Sequence, residues 1–169
     1  MPDEPIADRP YMPGYGVPET LAGILTWSAA RRRLETNRNY WLATLHPDGR
    51  PHVMPVWGVW MEGALYFSTG PESRKAKNLR ADPRCTVSIE DPSQPIVVEG
   101  IARLVSDIDE RWRMCLPYAS KYDWPLHATD EGVADAQGNG GPVFAVRPVT
   151  VIATSEDSFE SATRWRFRT

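Results

Sequence analysis

The sequence predicts a mainly β fold, an antiparallel β-barrel with peripheral helices. Three observations carry this. Six or more short segments have strand composition. Tight turns such as HPDGR and Glu62-Gly63 join the early ones. Only two or three segments have helix chemistry, too few for a layered α/β protein.

The elements follow in order. Residues 1–18 are Pro-rich (RPYMPGYGVP) and read as an extended arm. Tyr11 and Tyr15 are placed to pack that arm onto the body or onto a partner subunit. A helix begins near Thr26 or Ser28, either of which can cap it, and runs to about Thr36. Ile24, Trp27 and Leu34 fit its apolar face. Tyr40–Leu45 is a strand, HPDGR a hairpin turn, and Pro51–Trp60 (PHVMPVWGVW) the return strand. That return strand is apolar on both faces, so it needs the barrel on one side and a second cover on the other. The cover is a cofactor, a helix or another subunit. Ala64–Thr69 is the third strand. A short helix then starts at Glu72 or Ser73 and stops at Asp82-Pro83, since the residue before proline avoids the helical region.

Cys85–Glu90 alternates as a strand, and Ile96–Val105 follows with Gly100 at a bulge. Asp107–Tyr118 is a helix with acidic residues in its first turn. Residues 128–142 read as a loop. Strands at Val143–Val149, Val151–Thr154 and Ala162–Phe167 complete the sheet. The 169 residues suit one domain, 1–169, with no internal repeat.

Composition narrows the function. A formal net charge of −3 argues against a general nucleic-acid binder. No apolar run approaches the roughly 20 residues that span a membrane. MPDEPIADRP lacks the basic and apolar regions of a signal peptide. Cys85 and Cys115 sit in no metal or redox spacing, so the expectation is a reduced, cytoplasmic protein. His46, His52 and His127 lack metal-ligand spacing. There is no G-x-S-x-G elbow, dinucleotide fingerprint or Walker A loop. The basic residues are 16 Arg and 3 Lys, a bias that often reflects a GC-rich genome.

Three constellations could carry chemistry. In LYFSTGPESRKAKNL a strand ends in Ser68 and Thr69, Gly70 loosens the turn, and a helix opens on Ser73-Arg74-Lys75. Unpaired N–H groups, hydroxyls and two cations there make a phosphate site; the same residues also suit a plain capped helix with a solvated basic face. In HVMPVW, Pro55 cannot donate to a ladder. It marks a bulge or sheet edge, or a gap where a flat ring meets the backbone of Val53 and Met54 beside Trp57. The tail ATRWRFRT sets Thr163, Arg164 and Trp165 together, or ends a strand in surface charge.

Taken in order, YWLATLHPDGRPHVMPVWGVW, LYFSTGPESRKAKNLRADPR and ATRWRF resemble the pyridoxamine-phosphate-oxidase-like superfamily of flavin and deazaflavin proteins. The similarity covers nearly the whole chain and looks like the actinobacterial branch associated with coenzyme F-420, a 5-deazaflavin. The resemblance implies a six-stranded split barrel and a homodimer with two cofactor sites at the interface. It implies that Ser73, Arg74 and Lys75 meet the cofactor phosphate, with Lys77 and Asn78 near. The ring would lie along His52, Val53, Met54 and Pro55 and against Ser68 and Thr69. Trp57 and Trp165 would be apolar walls, with Thr163, Arg164 and Trp165 closing the site from the partner chain. Enzymes that oxidise pyridoxamine phosphate end in an Arg-Leu-His-containing motif, which ATRWRFRT lacks, so vitamin B6 oxidation is not implied.

The function implied is hydride transfer from reduced F-420 to an electron-poor unsaturated small molecule. FMN is the alternative cofactor. A cofactor carrier or haem-binding protein is the non-catalytic alternative, with His127 as axial-ligand candidate. F-420 is favoured because Lys77, Arg80 and Arg84, or Arg31–Arg33, could pair with its acidic glutamyl tail. No catalytic residue stands out; His52, Tyr118, Lys121 and Tyr122 are the candidate proton donors.

Overall fold

In a computed structural model, residues 4–155 and 158–168 are described. The N-terminal arm contains strand β1 (Ile6–Asp8). Helix α1 (Trp27–Thr36) is capped by the Thr26 hydroxyl, which accepts from the Ala29 amide. The hairpin of β2 (Asn39–Leu45) and β3 (Pro51–Trp57) turns where Gly49 has φ +84°. Gly58 then breaks the long apolar run: a Cβ there would lie 2.8 Å from the Tyr66 carbonyl. A separate strand β4 (Val59–Met61) pairs with β5 (Ala64–Ser68).

Helix α2 (Arg74–Ala81) is capped by Ser73 and ends before Pro83. Strands β6 (Arg84–Ile89) and β7 (Ile96–Leu104) follow, then α3 (Ile108–Tyr122), capped by Asp107. Three short strands, β8 (His127–Thr129), β9 (Gly132–Ala134) and β10 (Gly140–Gly141), form a small sheet of their own. The chain closes with β11 (Val143–Ser155) and β12 (Ser158–Arg166).

The main sheet runs β1-β12-β11-β7-β6-β2-β3, with β4 and β5 attached through β11. The long strand β11 makes this possible. Its first residues, Val143–Val146, pair with β5, and Thr150–Ser155 pair with β12, while β7 lies along most of its other edge. A register shift between Pro148 and Thr150 bends the strand where its partners change. Gly100 faces this bend; a Cβ there would meet the Arg147 carbonyl at 2.6 Å. The result is an antiparallel split β-barrel, as the sequence predicts.

Two cores form. Tyr40, Leu42, Phe67, Val87, Phe144 and Trp165 fill the barrel, and Trp27 of α1 packs across its mouth. Tyr66, Met114, Tyr118, Tyr122 and Val133 pack α3 and the small sheet onto the outside.

Four expectations change. The arm is extended but not free of structure: Ile6–Asp8 pair with Arg164–Arg166. Helix α3 runs on to Tyr122 despite Pro117, because Asp123 closes it in the left-handed region (φ 54°). The segment 128–142 is not one loop: with His127 it contributes the three short strands of a second sheet, β8, β9 and β10. The two expected strands at 143–149 and 151–154 are one bent strand.

Candidate cofactor site

The site grows from the turn between β5 and α2. The Ser73 hydroxyl accepts from the Ala76 amide and lies 3.1 Å from the Thr69 hydroxyl. Ser68 donates to the Gly141 carbonyl, and the Thr69 amide donates to the Pro142 carbonyl. Asn78, fully buried, donates to the Thr44 hydroxyl at 3.0 Å and so bolts α2 to β2. Its Oδ1 has no partner among the described residues.

Arg74 and Lys75 thus stand at the positive end of a fixed helix. Neither has an ion-pair partner among the described residues, where eight pairs occupy other cations. Burial pushes the Lys75 ammonium below its ordinary range. His52 of β3 lies in the same field. Burial lowers its pKa first, and the positive charges of His46, Lys75 and Arg74 lower it further. Two cations without an ion-pair partner among the described residues, at a helix start, form a setting that favours an anion.

Beside them runs β3, the last strand of the sheet. Val53 is 51% exposed, Met54 43% and Trp57 42%, and Pro55 is exposed as well. Trp41 continues the patch on β2. The strand expected to be covered on both faces is therefore open to solvent in this chain. Trp57 closes the far end, stacked on Tyr122 at 4.7 Å.

The structure brings together His52, Val53, Met54, Pro55 and Trp57 on one strand, and Ser68, Thr69, Ser73, Arg74 and Lys75 on the adjoining turn. Lys77 points elsewhere, to Glu72 at 2.9 Å. The tail has different work. Trp165 is buried in the barrel against Trp27, so it is no wall of an open site. Arg164 grips Asp8 through two bonds of 2.7 and 2.9 Å, which holds the arm. Thr163 is fully buried and accepts from the Leu25 amide. These three residues are a correction: alternation along a strand gave no sign of which face would turn inward.

Most of the basic residues proposed for an acidic tail also have partners. Arg84 pairs with Asp82 and Arg31 with Glu35, both on the surface, where such pairs are weak and exchangeable. Arg80 donates to the Pro71 carbonyl, and Arg33 to the carbonyls of Gln94 and Thr154. Of the proton-donor candidates, Lys121 donates to the Tyr40 hydroxyl and to the Gly58 and Glu35 carbonyls. Tyr122 lies within hydrogen-bond distance of the Gly58 and Arg38 carbonyls. His127 is exposed at the start of β8. No group of three or more His, Cys, Asp or Glu residues that could hold a metal occurs among the described residues, and no helix among them is long and apolar enough to cross a membrane.

Fold and site together define a split-barrel protein with a flavin-type cofactor-binding architecture. The chain belongs to the pyridoxamine 5'-phosphate oxidase family, whose profile matches residues 26–162. Three solved structures are similar. A conserved hypothetical protein of Mycobacterium tuberculosis is 24% identical, with a TM-score of 0.68 over 83% of this chain and 91% of that one. An F420 reductase is 27% identical, with a TM-score of 0.56 over 72% of this chain and 94% of that one. A FAD-binding protein of Mesorhizobium loti is 20% identical, with a TM-score of 0.59 over 85% and 96%. No curated protein sequence matches the chain.

Proposed function

We propose that the protein is a coenzyme F-420-dependent oxidoreductase that works as a homodimer. The observation that carries this is the pair Arg74 and Lys75, without a counter-charge among the described residues, at the start of α2 and beside the open strand β3. A phosphate-bearing, flat cofactor fits both halves. The similarity to an F420 reductase at 27% identity favours the deazaflavin. FMN carries the same ribityl phosphate and is the second cofactor this site fits.

When bound and reduced, the deazaflavin supplies a hydride for an electron-poor unsaturated substrate. The chain's own residues hold and shield. Arg74 and Lys75 bind the phosphate. The hydroxyls of Ser68, Thr69 and Ser73 lie beside it. The backbone at Val53 and Met54 would hold the ring, and the side chains of Met54 and Trp57 would shield it from water. A second protomer, laid over Trp41, Val53 and Trp57, completes the enclosure and removes an exposed apolar patch from solvent. His52, whose pKa burial and then the charges of His46, Lys75 and Arg74 lower, would donate an N–H to the phosphate.

Parallel fluorescence-polarisation titrations with F-420 and FMN test this reading, with light scattering for the dimer. Tight F-420 binding with weak FMN binding is expected. Preference for FMN moves the protein to the flavin reading; binding of neither overturns the cofactor assignment.

A further inference from the structure

We propose that Lys121 and Tyr122 are positioning residues for the cofactor site: from the last turn of α3 they hold the joint at Gly58, and with it the ring of Trp57. What Trp57 does for a cofactor rests on the reading above; the joint itself does not.

The joint needs a hold from outside. Strand β3 ends at Trp57 and β4 begins at Val59, so the apolar run changes course at Gly58. A Cβ at Gly58 would meet the Tyr66 carbonyl at 2.8 Å, so no side chain there can pin the joint.

Helix α3 supplies the hold. The Gly58 amide donates to the Tyr122 hydroxyl at 2.8 Å. That hydroxyl lies 2.8 Å from the Gly58 carbonyl and 2.7 Å from the Arg38 carbonyl. Lys121 Nζ donates to the Gly58 carbonyl at 3.0 Å, the Tyr40 hydroxyl at 2.9 Å and the Glu35 carbonyl at 3.2 Å. The Arg38 guanidinium donates back to the Lys121 carbonyl at 2.6 Å. Two consecutive residues of α3 thus take both backbone groups of Gly58 and tie them to α1, to β2 and to the turn between them. The Tyr122 ring also lies against Trp57, with centroids 4.7 Å apart. The residue that fixes the backbone therefore fixes the side chain one position earlier. Trp57 is half-exposed, and its other ring contact is edge-on, with Trp124 at 5.7 Å.

The hold is linked to a proton. Arg38 faces Lys121 from the turn, Tyr40 from β2 and Tyr122 from its own helix. Glu35 of α1 turns its carboxylate to Arg31, and the joint brings only a carbonyl. Burial first, and then Arg38, lower the Lys121 ammonium to about 8. Burial pushes Tyr40 and Tyr122 up, so both keep their protons there. A neutral amine retains two N–H donors, enough for the Gly58 and Glu35 carbonyls. Its lone pair suits the Tyr40 hydroxyl, which can turn its proton from the Leu34 carbonyl. The neutral form keeps the joint and removes the cost of a buried charge. A joint that released Lys121 into water would restore the ordinary 10.5, so the hold strengthens as pH rises through about 8.

The test uses the full chain. NMR signals of the Trp57 ring C–H groups, identified by their absence in Trp57→Phe, should titrate with a midpoint of about 8. That step should vanish in Lys121→Met, whereas a lysine that merely added stability would leave Trp57 unmoved. Tyr122→Phe keeps the ring and removes the hydroxyl. It should weaken F-420 about fivefold in the polarisation titration, the worth of one hydrogen bond. The ratio of F-420 affinity at about pH 9 to that at about pH 7 should be roughly threefold larger in the native chain than in Lys121→Met. Comparing the two chains cancels the titration of the cofactor and of Lys75. A Trp57 signal indifferent to pH, a step that survives in Lys121→Met, equal affinity ratios, or full F-420 affinity in Tyr122→Phe would overturn the proposal. Should Lys121→Met fail to fold, Lys121→Gln is equally unable to titrate and takes its place. If the native chain binds no F-420, the cofactor reading falls, and the Trp57 titration judges the joint without it.

Discussion

Trp57 lies flat on Tyr122, with ring centroids 4.7 Å apart and planes only 4° from parallel. One ring ends the open strand β3; the other ends helix α3. The stack therefore joins the strand expected to meet the cofactor to helix α3. Aromatic pairs of this kind contribute about 0.5–1.5 kcal/mol beyond area burial. Trp57→Ala should cost roughly 1–2 kcal/mol in urea unfolding and should weaken cofactor binding in the fluorescence-polarisation titration.

Arg74→Ala combined with Lys75→Ala should abolish tight cofactor binding. Each charged hydrogen bond is worth about 1.5–3 kcal/mol, so the double variant should lose roughly a hundredfold or more in affinity. Its melting temperature should hold, because neither side chain has an ion-pair partner among the described residues. Unchanged affinity would move the phosphate elsewhere.

His52 should report the anion directly. Its folded pKa lies below the ordinary 6.5. The folded state thus resists the proton that the unfolded chain accepts. The stability linked to His52 is fully present above that value and declines as pH falls through it. An anion beside Arg74 and Lys75 relieves the repulsion, so added phosphate or cofactor should raise the His52 pKa in an imidazole NMR titration. No movement would separate His52 from the site.

Lys121 titrates in the same sense at higher pH. Burial first, and then the Arg38 guanidinium, bring its ammonium down to about 8. Between there and the ordinary 10.5 the unfolded chain binds a proton that the folded chain has released. Stability linked to Lys121 therefore rises with pH across this window. Urea melts at about pH 7.5 and about pH 9.5 should show that rise in the native chain and lose it in Lys121→Met.

Gly132→Ala should unseat the small sheet. A Cβ there would stand 2.0 Å from the Gly141 carbonyl, against backbone that cannot give. A cost of about 1–3 kcal/mol is expected, together with faster proteolysis within 127–141.

Most of the barrel was legible because its signals are local. HPDGR turns at Gly49, Asp82 before Pro83 disfavours further helix, and Cys85–Glu90 alternates cleanly. The turn carrying Ser68 through Lys75 was legible for the same reason. What the sequence hid depends on distant partners. Trp165 and Trp57 are both aromatic residues on β-rich segments, yet one fills the barrel and the other the open edge. Arg164 looked like a ligand until Asp8, far away in sequence, arrived beside it. The sheet at 127–141 was missed although Asp130-Glu131-Gly132 sits where a hairpin turns. Its glycines serve close backbone contacts rather than loop freedom, and that requirement is invisible without the neighbouring strand.

The two prolines of β3 bear on the protein's behaviour in concentrated solution. A strand that ends a sheet can recruit the same strand from another molecule, and repetition of that event builds fibres. Pro51 and Pro55 lack amide hydrogens at two of the seven positions of β3. A continuous intermolecular ladder would be interrupted at each of them. Leu or Val at either position would restore the donor and leave the apolar patch in place, which favours fibre formation.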